Sequence, residues 1–130
     1  MKTSSTINTQ CNQIASKILS AYFAGEDGGT FNFDSLPQKF ETGYLASYKA
    51  PSIILSTNSI PSINDLREMV KRLYFKASSF DFIGFWVNEG KIYIDLTKHI
   101  QGKKAAILFG LGQNQIAIWD CKKNVSINLN

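Results

Sequence analysis

This sequence has little of what usually announces a protein's chemistry: two cysteines, three prolines and one histidine in 130 residues. Cys11 and Cys121 are too few for a disulfide framework and show neither CxxC nor Cys/His metal spacing, so reduced thiols and no metal or cofactor are expected. No window approaches the roughly 18 apolar residues of a membrane span. The opening MKTSSTINTQ carries one lysine and then polar residues where a signal peptide needs an apolar stretch, so a soluble, cytoplasmic protein without membrane partners is expected. Phosphate-loop and dinucleotide fingerprints are missing too, because GLGQNQ follows a helical pattern where GxGxxG would precede one.

What is present suits a single domain, since 44% hydrophobic and 18% charged residues can build a real core. Residues 1 to 8 are polar and expected to be frayed, leaving residues 9 to 130 as one folded unit. Cys11, Ile14, Ala15, Ile18, Leu19 and Tyr22 follow a helical stripe, with Asn8 or Thr9 available as a cap and Gly25 as a stop. EDGGTFNFDSLPQKFET is rich in glycine and polar residues, which predicts a loop held down by Phe31, Phe33 and Phe40. GYLASY and SIILST are strand-like, and Pro51 between them leaves either a hairpin or one kinked strand. Ser62 and Asp65 form a capping box before the stripe Leu66, Met69, Val70, Leu73, Tyr74 and Ala77. A hairpin turning at Gly90, a helix from about Lys103 to Leu111, the strand QIAIWD, the turn CKKN and a strand at VSINL complete the chain.

The order after Gly43 is thus β, α, β, β, α, β, which predicts an α+β fold of ferredoxin-like topology, strand order 4-1-3-2, with two helices on one face. Alternation sends Ile83, Phe85, Val87, Ile92, Ile94, Leu96, Ile116 and Ile118 toward those helices, and Phe82, Trp86, Tyr93 and Trp119 to the other side. An open aromatic face would suggest a platform for single-stranded bases. However, the N-terminal helix has a stripe to bury, and it is expected to cover that face instead. FIGFWV also lacks the leading basic residue of an RNA-recognition octamer and falls on the second strand.

GYLAS, IGFWVNEGKIYIDLTKHI and AAILFGLGQNQIAIWD together resemble a pattern found in small, mostly uncharacterised proteins of bacteriophages and other mobile elements. The pattern runs G-Y/F-x-x-S, then G-x-W-x-x-x-G-x-x-Y-x-D, then A-x-x-x-G-x-x-x-x-Q-x-A-I-W/Y-D, over residues 43 to 120. The resemblance implies an accessory protein that acts by binding and implies no catalytic activity.

Charge indicates where such binding would occur. Residues 1 to 42 carry three basic and four acidic groups, residues 43 to 95 six and five, and residues 96 to 130 five and one. The proposed topology gathers Lys76, Lys98, His99, Lys103, Lys104, Lys122 and Lys123 at one end, suited to a nucleic acid, a host nucleoprotein or another acidic partner. Lys103 and Lys104 oppose the dipole of their own helix, so something other than helix stability favours them. The alternative for this cluster is lysines that merely keep the domain soluble. Two other functions stay open: a small cysteine-dependent enzyme using Cys121, His99 and Asp120, and a structural virion component. Cys11, on its helix stripe, is expected to be a small core residue. Asp95 and Asp120 have no partner at acid/base spacing, and Asp95 is expected to answer a hydroxyl or a backbone amide. Oligomeric state is not legible from the residues.

Overall fold

The computed structural model describes residues 3–129, except for the side chains of residues 50 and 51. In chain order the elements are α1 (Ser4–Phe23), β1 (Gly28–Phe31), β2 (Tyr44–Ser56), α2 (Ile63–Lys76), β3 (Phe82–Asn88), β4 (Lys91–Ile100), α3 (Lys103–Gly112), β5 (Ala117–Asp120) and β6 (Val125–Asn128).

The helices start where their caps allow. Thr3 Oγ1 accepts the Thr6 amide at 3.2 Å, so α1 begins ahead of Asn8 and Thr9, and residues 4 to 8 are helical where fraying was expected. Ser62 Oγ accepts the Asp65 amide at 3.2 Å and starts α2 as its capping box predicts. Gly102 caps α3 without a side-chain bond. In the β3–β4 hairpin, Glu89 and Gly90 both have positive φ, at 50° and 76°, the pair of values a two-residue turn of type I′ needs.

All strand pairs are antiparallel, in the order β1-β3-β4-β2-β5-β6, and the sheet curls into a half-barrel. β2 is one strand of 13 residues, and Pro51 falls where its register against β4 slips, between Ser47 and Ser52. On its other side β2 pairs with β5 only at Tyr44 and Leu45. Beyond that point side chains take over the edge: the Lys49 amide donates to Gln113 Oε1 at 2.9 Å, and Gln115 Nε2 donates to the Tyr48 carbonyl at 3.5 Å.

The loop expected after α1 contains the short edge strand β1. Gly28 and Gly29 hid it, because glycine is a poor strand former. The three phenylalanines do hold this region: Phe31 stacks on Phe85, Phe33 meets the edge of Tyr74, and Phe40 stacks on His99.

All three helices lie on one side of the sheet. Cys11, Ile14, Ala15 and Ile18 of α1 are buried with Leu66, Val70 and Leu73 of α2 against Ile83, Phe85, Ile92, Ile94 and Leu96. Ala106 of α3 packs on Ala46 and Ile118 further along the same side. The N-terminal helix therefore does not cover the tryptophan-bearing face, contrary to expectation. The missed strand explains why: six strands at about 4.8 Å spacing span roughly 24 Å, wide enough for helices 8–10 Å apart to sit side by side. Burying the α1 stripe beside α2 leaves the other face of the sheet open. Among the described residues no helix is long and apolar enough to cross a membrane.

Candidate functional site: an open aromatic groove

The open face is the inside of the half-barrel, and its curl makes a groove of about 580 Å³. That volume is within the range of roughly 300–1,000 Å³ typical of ligand sites. Trp86 of β3 lines one side and Trp119 of β5 the other, 38% and 39% exposed. Trp86 is held flat by stacking on its cross-strand partner Tyr93, centroids 4.4 Å apart and planes 16° from parallel. Phe40 forms part of the lip, stacked on the His99 ring at 4.0 Å. Ile116, expected under the helices, is 61% exposed and lines the groove, because it precedes β5 and lies outside the strand's alternation.

Small and polar residues make the floor: Gly84, Ser47, Thr97 and Asp95. Gly84 is there for space, since a Cβ at that position would stand 2.6 Å from Thr97 Oγ1. Asp95 is only 8% exposed, and burial pushes its carboxyl up to about 6, while a hydrogen bond from Trp86 works in the opposite direction. The donor is thus an indole N–H, where a hydroxyl or backbone amide was expected. No cation among the described residues pairs with it; Arg67 and Lys71 pair instead with Glu68, on α2.

The lysines predicted to gather do so in part. Ile100 at the end of β4 pairs with Tyr44, and Tyr44 with Asp120, so the β4–α3 junction and the β5–β6 turn share one end of the sheet. This brings exposed Lys103 and Lys104 to the same end as exposed Lys122 and Lys123. The last two lie between Cys121 and Asn124, both of which line the groove. Asp120 Oδ1 accepts the amides of Lys122 and Lys123 at 3.0 and 3.1 Å, which tightens the turn that carries them. Lys76 ends α2, on the helix side of the sheet. Lys98 also points to that side, its Nζ 5.4 Å from the Phe109 ring centroid, and so faces away from the groove.

His99, Asp120 and Cys121 do not form a relay. His99 Nε2 donates to the Thr42 carbonyl at 2.8 Å, and Asp120 is occupied by its own turn. Burial, and then the Asp120 charge, raise the Cys121 thiol, which disfavours the thiolate. Cys11 is fully buried and is pushed to about 11, chiefly by burial, as befits a core residue. No family model, curated protein or solved structure matches the chain. Among the described residues no group of three or more His, Cys, Asp or Glu could hold a metal ion. What the groove offers is stacking surface, the nearly buried Asp95 carboxyl with no cation paired to it, and lysines beside it, Lys39 in the lining and Lys122 and Lys123 in the turn at its end. The alternation of Trp86, Tyr93 and Trp119 had already placed the aromatics together; what the sequence did not reveal was that no helix among the described residues covers them.

Proposed function

We propose that this is a non-enzymatic binding protein that takes single-stranded nucleic acid, free or within a nucleoprotein, along its groove and against its lysine-rich end. The observation that carries this reading is the pair of tryptophans, each more than a third exposed, on one open sheet face. Stacking on aromatic rings contributes about 1–3 kcal/mol per base and tolerates any base, while lysines neutralise phosphates. The antiparallel order β5-β2-β4-β3, with α2 and α3 on one side, supports a ferredoxin-like unit widened by β1 and β6. RNA-recognition domains stack bases on an open face of this kind. The resemblance of residues 43 to 120 to bacteriophage and mobile-element proteins supports an accessory role in which binding interferes with a host process.

Tryptophan fluorescence reports on this groove directly. A short single-stranded oligonucleotide should quench it saturably at low salt, and Trp119→Ala should weaken binding by about 5- to 150-fold. The charge reversal Lys122→Glu with Lys123→Glu should weaken it as well. A folded protein that binds no oligonucleotide at low salt would overturn the reading.

A further inference from the structure

Asp95 is a nearly buried carboxyl on the floor of a groove, and the fold gives it no positive partner. It sits mid-strand on β4, opposite Gly84 of β3 and Ser52 of β2. Its neighbours along its own strand and face are Tyr93 and Thr97, and its one side-chain donor is Trp86. None of these carries positive charge. A carboxylate has about four acceptor positions, so one indole N–H leaves most of them unused. Gly84 presents no side chain over this part of the floor, and the carboxyl lines the groove. Buried charges are ordinarily paired, which makes Asp95 a group that a ligand is left to satisfy.

Two kinds of ligand could do so: a cation, or a neutral group with adjacent N–H donors. The protein's net charge of +4 and the lysines at the groove's end disfavour a polycation. A nucleic acid brings negative phosphates to those lysines and donor-bearing bases to the floor. Of the four bases, guanine alone offers two neighbouring donors on its Watson–Crick edge, N1–H and the exocyclic N2–H. These match the two oxygens of one carboxylate. Adenine and cytosine set one amino group beside an acceptor, which the carboxylate repels. Uracil sets its single N–H between two acceptors.

Resting on the proposed nucleic-acid function, we propose that Asp95 is the base-reading residue of the groove and selects guanine, accepting N1–H and N2–H from a base stacked on the groove's aromatic wall. Phosphate and stacking contacts would hold any single strand, and Asp95 adds the preference.

The test uses short uridine oligomers with a single central guanosine, inosine, adenosine or cytidine, titrated into the full chain and read by tryptophan fluorescence. Inosine is guanosine without the N2 amino group, so the guanosine–inosine comparison isolates one donor and needs no variant. The guanosine oligomer should bind about tenfold tighter than the inosine oligomer, and the difference should collapse in Asp95→Asn while binding of the plain uridine oligomer persists. Equal binding of all four oligomers by wild type, or a guanosine preference that survives Asp95→Asn, would overturn the role of Asp95 and leave the nucleic-acid reading standing. Failure of every oligomer to bind at low salt would overturn both.

Discussion

Asp95 occupies a position that an apolar residue or a serine would fill more stably. Its carboxyl rises from an ordinary 3.8 to about 6, because burial disfavours its charge. The sign follows from linkage. Well below pH 3.8 the folded and unfolded states both hold the proton, and the charge costs nothing. Between 3.8 and 6 the unfolded chain releases it while the folded chain retains it, so this group's contribution falls as pH rises and levels off above 6. The full difference is about 3 kcal/mol at 1.36 kcal/mol per unit. Asn keeps an acceptor for the Trp86 indole and removes the charge. Asp95→Asn should therefore stabilise the protein by up to about 3 kcal/mol at pH 7.5 and by less than about 1 kcal/mol at pH 4, measured by urea unfolding at both values. A gain independent of pH would show that the charge is not what strains the site. A residue that weakens the fold in this way is what the proposed role of Asp95 in binding would leave behind.

The elements show which parts of the sequence were legible. α3 ends in two glycines with opposite surroundings. A Cβ on Gly110 would come within 2.9 Å of Ile118 Cγ2 and 2.8 Å of Leu129 Cδ1, while one on Gly112 would meet nothing within 4 Å. Alanine favours a helix over glycine by about 1 kcal/mol. Gly112→Ala should then stabilise the protein by about 0.5–1 kcal/mol, whereas Gly110→Ala should destabilise it by about 1–2 kcal/mol, since the branched Ile118 on β5 cannot turn aside. Thermal melts of the two variants check this, and a Gly110→Ala protein as stable as wild type would mean that α3 packs less tightly on β5 than these distances require. α2, the β3–β4 hairpin and α3 could be read from the sequence because each declares itself locally, through a capping box, an Asn-Glu-Gly turn and a closing pair of glycines. β1 could not, because its first two residues are glycines whose strand conformation comes only from pairing with β3. That one omission moved α1 to the wrong side of the sheet and turned an open groove into an expected core. The lesson concerns width: an amphipathic helix needs an apolar surface, and how many can share one face depends on strands that local signals leave out.

At the scale of the whole molecule, the proposed function divides the work of holding a single strand between the aromatic groove and the basic end, and salt would separate their contributions. Lys103, Lys104, Lys122 and Lys123 are exposed at one end of the sheet, and Oδ1 of the buried Asp120 nearby accepts the backbone amides of Lys122 and Lys123. If each lysine neutralises one phosphate, log K should fall with log salt at a slope of about −3, from roughly −0.7 per contact on single strands. Lys103→Glu with Lys104→Glu removes two contacts and should bring the slope to about −1.4. Trp119→Ala should weaken binding by a similar factor at every salt concentration, leaving the slope near −3, because stacking releases no counterions. Titrations of one oligonucleotide across a salt series with the three proteins decide the matter. A slope left unchanged by the lysine reversals would place the phosphates elsewhere on the surface. A slope altered by Trp119→Ala as much as by the lysine reversals would mean that the two regions do not act as separable parts of one site.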